Sequence, residues 1–201
     1  SLRQAADDLF VWLQKVAPSP CLLGGWSLGG MLALSLVAER SFKPQGLLLM
    51  ATTPRFTQNE DWPYGLPSSE LRLLERNLKQ NFQPTLGTFF QRMFTGEQLP
   101  AERLRAIRKF AIYGETLPDV SVACRLLREF ASQDQRPLLP RVACPVLVVH
   151  GELDTITSID GGRYLADNIE KARLELFPSV GHAPFLSQPE TVAALLRSFA
   201  Q

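Results

Sequence analysis

The stretch that decides the fold is residues 21–34, CLLGGWSLGGMLAL, where four glycines and one serine interrupt an apolar run. Residues 21–24 suit a short buried strand, and the apolar residues from Met31 onward suit a buried helix. Between them, residues 25–29 match the pattern G-x-S-x-G, which is typical of a sharp strand-to-helix turn that exposes a serine. The sequence therefore predicts a nucleophile at Ser27.

The glycines around this serine have a steric reason. The turn forces the serine into a strained backbone conformation and brings the residues on either side close together, so a Cβ at Gly25 or Gly29 is expected to clash. Gly30 would let the helix approach the neighbouring strand. The backbone N–H of Leu28 would point at the serine oxygen and serve as an oxyanion donor. The alternative is an ordinary turn in which Ser27 only caps the helix.

Partners for the serine are expected in the chain order serine, acid, histidine. His182 lies in a loop between the last strand and the last helix, and we predict it as the general base; the alternative is a structural loop histidine. His150 lies inside an apolar strand pattern and is interpreted as a core or strand-end histidine. Asp154 follows that strand and is predicted to orient the imidazole of His182, with Glu152 and Asp160 as rivals.

Strand and helix patterns alternate on both sides of a helical insertion. Further buried strands are expected at residues 46–51, 145–151 and 172–177, and helices at residues 159–169 and 189–200. Residues 54–140 are predicted to form a helical cap, and residues 1–53 and 141–201 to form the core. The fold class is therefore α/β, a mostly parallel sheet with helices on both faces and an inserted cap.

The composition excludes several classes of protein. The 201 residues are 45% hydrophobic and 20% charged with a net charge of +1, which is typical of a soluble globular protein rather than a disordered or nucleic-acid-binding one. Glycine pairs break the uncharged run at residues 21–38 and argue against a membrane span. Three cysteines at no metal spacing predict free thiols. Since the chain also begins without a signal-peptide pattern, we expect a cytoplasmic protein. We also expect it to be a monomer.

Four segments together resemble one enzyme family. They are GWSLGG at residues 25–30, ATTPRFTQNEDWP at 51–63, GELD at 151–154 and GHAPFLSQP at 181–189. These segments are similar to those of the pimeloyl-[acyl-carrier-protein] methyl ester esterases of biotin synthesis, which are α/β-hydrolases. The resemblance implies a carboxylesterase that removes the methyl group from pimeloyl-carrier-protein methyl ester and needs no metal or organic cofactor.

The resemblance also assigns roles to residues. Ser27, Asp154 and His182 fall on the family's catalytic positions, and Trp26 falls on a residue that lines the acyl pocket, with core packing as its alternative. Family members carry about a third more of the sheet before the helix at which this sequence begins, including the loop that supplies a second oxyanion donor. We therefore expect a longer natural chain. A general short-chain carboxylesterase and a non-catalytic module that keeps the hydrolase pocket remain alternatives.

Aromatic residues are frequent in the predicted cap. Most are expected to pack the cap helices together, and Phe89 is predicted to reach the acyl chain. The set comprises Phe82, Phe89, Phe90, Phe94, Phe110, Tyr113 and Phe130.

The cap also carries an excess of positive charge. Between Arg103 and Arg128, six basic residues stand against two acidic ones, Glu115 and Asp119, an excess of four. Acyl carrier proteins are acidic, so a basic face would attract one. The residues predicted to dock the carrier protein are Arg105, Arg108 and Lys109. The alternative is a solvated helix face with no partner.

Overall fold

The computed structural model describes residues 2–17, 20–40, 42–112 and 119–201, except for the side chains of 110–112. Tyr113, Glu115 and the side chain of Phe110 therefore lie outside the described residues. The described part contains a parallel sheet whose strands lie side by side in chain order. The strands are β1 (Leu22–Trp26), β2 (Gly46–Met50), β3 (Val146–Gly151) and β4 (Ala172–Phe177).

Helices surround the sheet and fill the insertion between β2 and β3. Those of the alternating part are α1 (Leu2–Val16), α2 (Leu28–Glu39), α7 (Ile159–Asn168), α8 (Pro184–Ser187) and α9 (Pro189–Phe199). Those of the insertion are α3 (Ser68–Gln80), α4 (Phe82–Met93), α5 (Ala101–Ile112), α6 (Val120–Ser132) and a 3-10 helix (Arg136–Arg141). The strands lie within two residues of their predicted bounds, and the α/β fold class is confirmed. The division into core and cap at residues 54 and 140 stays a prediction.

The core lies on both faces of the sheet, because successive strand residues point to opposite sides. Leu47 and Leu49 pack with residues of α2 and α7 on one face. Leu147 and Val149 pack with residues of α9 on the other. All four side chains are fully buried. Burial of each contributes about 1.5–3 kcal/mol, so these contacts fix the strand ends from which the site is built.

A polar clasp ties the two ends of the insertion together. Asp134 accepts hydrogen bonds from Arg55 (2.9 Å) and Arg136 (2.6 Å), and Arg136 also reaches Asp61 (3.1 Å). The hydrogen bonds from Arg136 and Arg55 lower the pKa of Asp134 to about 2, although burial of the carboxyl acts in the opposite direction. Beside the clasp, Gln135 donates to the carbonyl of Met31 in α2 (2.8 Å). These contacts therefore hold the beginning and the end of the insertion next to each other.

The uncharged run at residues 21–38 forms β1 and most of α2. Within the described ranges, no helix combines the length and the apolar character that crossing a membrane requires. All three cysteines are free, as expected. The further expectation that they are buried holds for Cys124 only, because Cys21 and Cys144 are partly exposed.

Candidate active site

Ser27 lies on the predicted bend, between the last residue of β1 and the first residue of α2. Its backbone has φ 55° and ψ −121°, a left-handed conformation that is rare outside glycine and costs about 1–3 kcal/mol. The N–H of Ser27 donates to Met50 at the end of β2 (2.9 Å), and its carbonyl accepts from Gly30 (3.0 Å). Because Leu28 begins α2, its N–H has no acceptor within that helix.

Two of the three glycines at this bend are required by close contacts. A Cβ at Gly25 would collide with the backbone of Gly29, and a Cβ at Gly30 would collide with the side chain of Thr52. Both results agree with the sequence-based expectation. The expectation for Gly29 itself was wrong, because a Cβ added there meets no atom within 4 Å of it. The bend brings the backbone of residue 29 toward residue 25, while the Cα–H of residue 29 points into open space.

His182 and Asp154 form a buried pair. The distance between His182 Nδ1 and Asp154 Oδ2 is 2.8 Å, and both side chains are at most 1% exposed. A carboxylate only accepts hydrogen bonds, so Nδ1 of His182 carries the proton and Nε2 is the free base in the neutral ring. The hydrogen bonds that this ring forms with described residues all involve Nδ1, which leaves Nε2 open to a partner at the pocket.

The Asp154 carboxylate is surrounded by further donors. Its Oδ1 accepts from the backbone N–H groups of Ile156 (2.8 Å) and Thr157 (3.0 Å), and its Oδ2 accepts from the Thr157 hydroxyl (2.8 Å). Burial raises the pKa of Asp154, but hydrogen bonds from His150 and His182 outweigh it and hold the pKa well below its usual range. The carboxylate is therefore ionised at neutral pH.

The rival acids lie elsewhere. Glu152 is exposed, and Asp160 pairs with Arg163 at 2.9 Å. Of the three acids considered from the sequence, Asp154 is the one that contacts His182.

Hydrogen bonds to α4, to Trp26 and to Glu97 hold the His182 loop. Its backbone N–H donates to Met93 at the end of α4 (2.9 Å), and its carbonyl accepts from the indole N–H of Trp26 (2.8 Å). The N–H of Gly181 donates to the Glu97 carboxylate (2.7 Å). Trp26 directly precedes Ser27, so its hydrogen bond links the bend to the His182 loop. Its ring also packs edge-on against Phe185.

Ser27 and His182 line the same cavity, which has a volume of about 400 Å³. Trp26 and Phe89 line it as well, and the remaining wall is mostly apolar side chains from α3, α4 and α6. A second cavity of about 380 Å³ adjoins it and shares Phe89. That second cavity also carries polar groups, among them Glu70 and Arg92. The volume and the apolar wall of the first cavity suit a small acyl group.

The predicted docking residues lie outside this cavity. Arg105, Arg108 and Lys109 are exposed on α5, at a spacing that puts them on one side of the helix. Arg103 does not belong to this exposed set, because it is partly buried and its side chain donates to the carbonyl of Leu186 (3.1 Å). Arg128 pairs with Glu75 of α3 at 3.3 Å.

A family model described as the alpha/beta hydrolase family matches residues 1–195. The chain belongs to the alpha/beta hydrolase family. It is 37% identical over 189 residues to the pimeloyl-[acyl-carrier protein] methyl ester esterase of Nitrosomonas europaea, covering 92% of this chain and 75% of that protein. The esterase of the same name from Chromobacterium violaceum is 34% identical, with 92% of this chain and 72% of that protein covered. These relatives confirm the resemblance seen in the four sequence segments.

Solved structures show the same fold. An esterase from Exiguobacterium antarcticum has a TM-score of 0.89 and 24% identity, covering 99% of this chain and 73% of its own. A bromoperoxidase from Bacillus anthracis has a TM-score of 0.86 and 19% identity, covering 98% and 73%. At these identities the likeness extends to the fold only.

Two residues at the site were not identified from the sequence. Thr157 is 2% exposed, and its hydroxyl lies within hydrogen-bond distance of Asp154 Oδ2 and 3.3 Å from His182 Nδ1. His150 was assigned to the core, and it is indeed fully buried, but its Nε2 lies 3.3 Å from Asp154 Oδ2. A spacing of four residues implies proximity only in a helix, and His150 lies in a strand, so the sequence carried no signal for this contact.

Proposed function

We propose that this protein is a serine carboxylesterase that hydrolyses the methyl ester of a pimeloyl group carried by an acyl carrier protein. The observation that carries the proposal is the buried His182–Asp154 pair, whose histidine lines one apolar cavity with a serine held on a strained bend. Relatives that carry the name of this esterase support the choice of substrate.

In the first half of the reaction, the Ser27 hydroxyl attacks the ester carbonyl and His182 Nε2 takes its proton. The Leu28 N–H stabilises the negative charge that forms on the carbonyl oxygen. The protonated imidazole then gives its proton to the methoxide, which leaves as methanol. Asp154 keeps Nδ1 protonated and offsets the imidazolium charge. The product of this half is an ester between Ser27 and the acyl chain.

In the second half, water replaces methanol. His182 Nε2 removes one proton from the water, and the resulting hydroxide attacks the acyl-serine carbonyl. The bond to the serine oxygen breaks, and that oxygen recovers the proton from His182. The acid product remains attached to the carrier protein through its other end. No group besides water is consumed.

The acyl chain would occupy the apolar cavity, with Trp26 and Phe89 against it. The indole N–H of Trp26 is already used by the carbonyl of His182, so Trp26 presents its ring rather than its donor to the chain. An uncharged methylene chain suits a wall of this kind, since its burial contributes about 0.8 kcal/mol per CH₂.

The carrier protein would dock on the exposed basic side of α5. Arg105, Arg108 and Lys109 give three positive charges on one side of that helix. Such a face would steer an acidic partner and would act mainly on the association rate.

A comparison of two substrates tests the proposal. We expect pimeloyl-carrier-protein methyl ester to have a kcat/KM at least about tenfold above that of free monomethyl pimelate at low salt, and the advantage to shrink as salt rises. Ser27→Ala should abolish turnover of both substrates. Equal kcat/KM values with an inactive Ser27→Ala would indicate a general short-chain carboxylesterase, and no turnover of any ester would indicate a non-catalytic module.

A matched pair of variants tests the docking face. Replacement of Arg105, Arg108 and Lys109 by glutamate should lower kcat/KM for the carrier-bound ester at least about tenfold and leave the free ester unchanged. The control replaces Lys43, Arg141 and Lys171 by glutamate. These residues are exposed and precede β2, β3 and β4, at the edge of the sheet opposite the site. Equal losses in the two triple variants would contradict docking on α5.

A further inference from the structure

We propose that His150 is a positioning residue of this site, a second imidazole that holds the Asp154 carboxylate through the same oxygen that His182 uses. The inference rests on the proposed function for its catalytic consequence, but the contact itself does not depend on the substrate. His150 lies in β3 and Asp154 follows that strand, so both are delivered by one continuous segment of chain.

The hydrogen bonds of His150 determine its tautomer. Its Nε2 lies 2.9 Å from the backbone carbonyl of Thr157 and 3.3 Å from Asp154 Oδ2. Both partners are acceptors, so Nε2 carries a proton, which forms the hydrogen bond to Thr157 and also lies toward Asp154 Oδ2. Thr157 therefore contacts both residues. Its N–H and its hydroxyl donate to the Asp154 carboxylate, and its carbonyl accepts the hydrogen bond from Nε2 of His150.

The surroundings of the other nitrogen of His150 favour the same tautomer. Within the described ranges, Nδ1 has no hydrogen-bond partner although it is buried. It faces α7 at Gly162, where an added Cβ would come within 2.6 Å of it. A proton on Nδ1 would be a buried N–H without an acceptor, next to a wall that has no space for one. The proton of the neutral ring therefore lies on Nε2, which faces Thr157 and Asp154.

The other charged groups around this segment have partners of their own. Asp160 at the start of α7 pairs with Arg163, Glu97 accepts the N–H of Gly181, and Arg92 of α4 donates to the carbonyl of Thr155 at 3.0 Å. The titratable side chains described in contact with Asp154 are therefore His150 and His182.

A neutral donor at this position has two consequences for the reaction. It restrains rotation of the carboxylate, so that Oδ2 stays aligned with His182 Nδ1. It also withdraws part of the carboxylate charge from the imidazolium that forms at His182. Removal of the donor should therefore lower kcat through misalignment of Asp154, with little effect on substrate binding.

Two variants at His150 separate positioning from packing. His150→Phe keeps a ring of similar size and removes the donor, whereas His150→Gln retains an N–H near the place of Nε2. We expect His150→Phe to lower kcat about 10- to 100-fold with little change in KM. His150→Gln should recover most of the lost kcat. Phe177→Leu, a buried change in β4, serves as the control for lost stability alone and should leave kcat unchanged at temperatures where it is folded.

The inference is overturned if His150→Phe and His150→Gln lose kcat alike. A measurement on the unaltered protein covers the case in which the variants do not fold. Nitrogen-15 NMR of the histidine side chains should show His150 as the Nε2–H tautomer at neutral pH, and an Nδ1–H tautomer would refute the inference. This NMR result does not depend on turnover. It would therefore hold even if Ser27→Ala stayed active and the proposed function were wrong.

Discussion

Asp154→Asn is the substitution whose outcome the hydrogen bonds of the site determine most fully. The amide has one oxygen and one NH₂ group, and it can replace the carboxylate in two orientations. With the NH₂ group at the Oδ1 position, it faces the backbone N–H groups of Ile156 and Thr157, neither of which can become an acceptor. Loss of two such bonds costs about 1–3 kcal/mol each.

The opposite orientation places the NH₂ group at the Oδ2 position, where the neighbours can adapt. The Thr157 hydroxyl can turn to the carbonyl of Ala51 at 3.1 Å, and His150 keeps its bond to the carbonyl of Thr157. His182 can accept at Nδ1 if its proton moves to Nε2. This orientation is therefore favoured by about 2 kcal/mol or more. It holds His182 in the tautomer that cannot take a proton from Ser27.

The expected result is a large loss of rate with a small loss of stability. We expect kcat to fall about 10⁴-fold, the size typical of a triad whose histidine is held in the wrong tautomer. The assay is the initial rate on a p-nitrophenyl ester, combined with urea unfolding to show that the variant is folded. A variant that keeps more than a tenth of the kcat would refute the assignment of Asp154 as the residue that orients His182.

Three further predictions concern the bend, the clasp and the tryptophan. Gly30→Ala should lower the free energy of unfolding by about 1–3 kcal/mol because its Cβ collides with Thr52, and the double variant with Thr52→Ala should be more stable in urea than the two single losses predict. Asp134→Asn should lower the free energy of unfolding by about 2 kcal/mol at pH 7, because the pKa of Asp134 in the folded protein is lowered to about 2. In urea titrations, the difference from wild type should persist above about pH 4 and disappear as the pH falls toward 2. Trp26→Phe should lower kcat several-fold, with a loss of about 1 kcal/mol in stability, because the indole bond to the His182 carbonyl is removed while the ring remains; an unchanged kcat in steady-state assays would contradict a role in holding the loop.

The sequence was sufficient for the parts of the fold that depend on local pattern. Apolar runs of five or six residues gave the strands to within two residues, because buried parallel strands have few polar positions. The bend at Ser27 was predictable because its strained turn has no space for a Cβ at position 25, where the sequence has a glycine. All three acids follow β3, so their place in the sequence left Glu152 and Asp160 as rivals, and the family resemblance pointed to Asp154. The structure brings that residue and not its rivals to His182.

The rest depended on distances that a sequence does not contain. His150 has the sequence environment of a core residue, and only the turn after β3 reveals that its ring reaches the carboxylate of Asp154. The open space at Gly29 likewise follows from the direction of one Cα–H bond. The sequence showed the excess of positive charge between Arg103 and Arg128, but it could not show that the side chain of Arg103 donates to the carbonyl of Leu186.

Trapping of the acyl-enzyme tests the central claim most directly. Protein mixed with pimeloyl-carrier-protein methyl ester and quenched in acid within milliseconds should contain a covalent adduct of the two proteins, with one methanol released per adduct, and peptide mass spectrometry should locate the ester on Ser27. Turnover without any adduct, or an adduct located on another residue, would contradict the account.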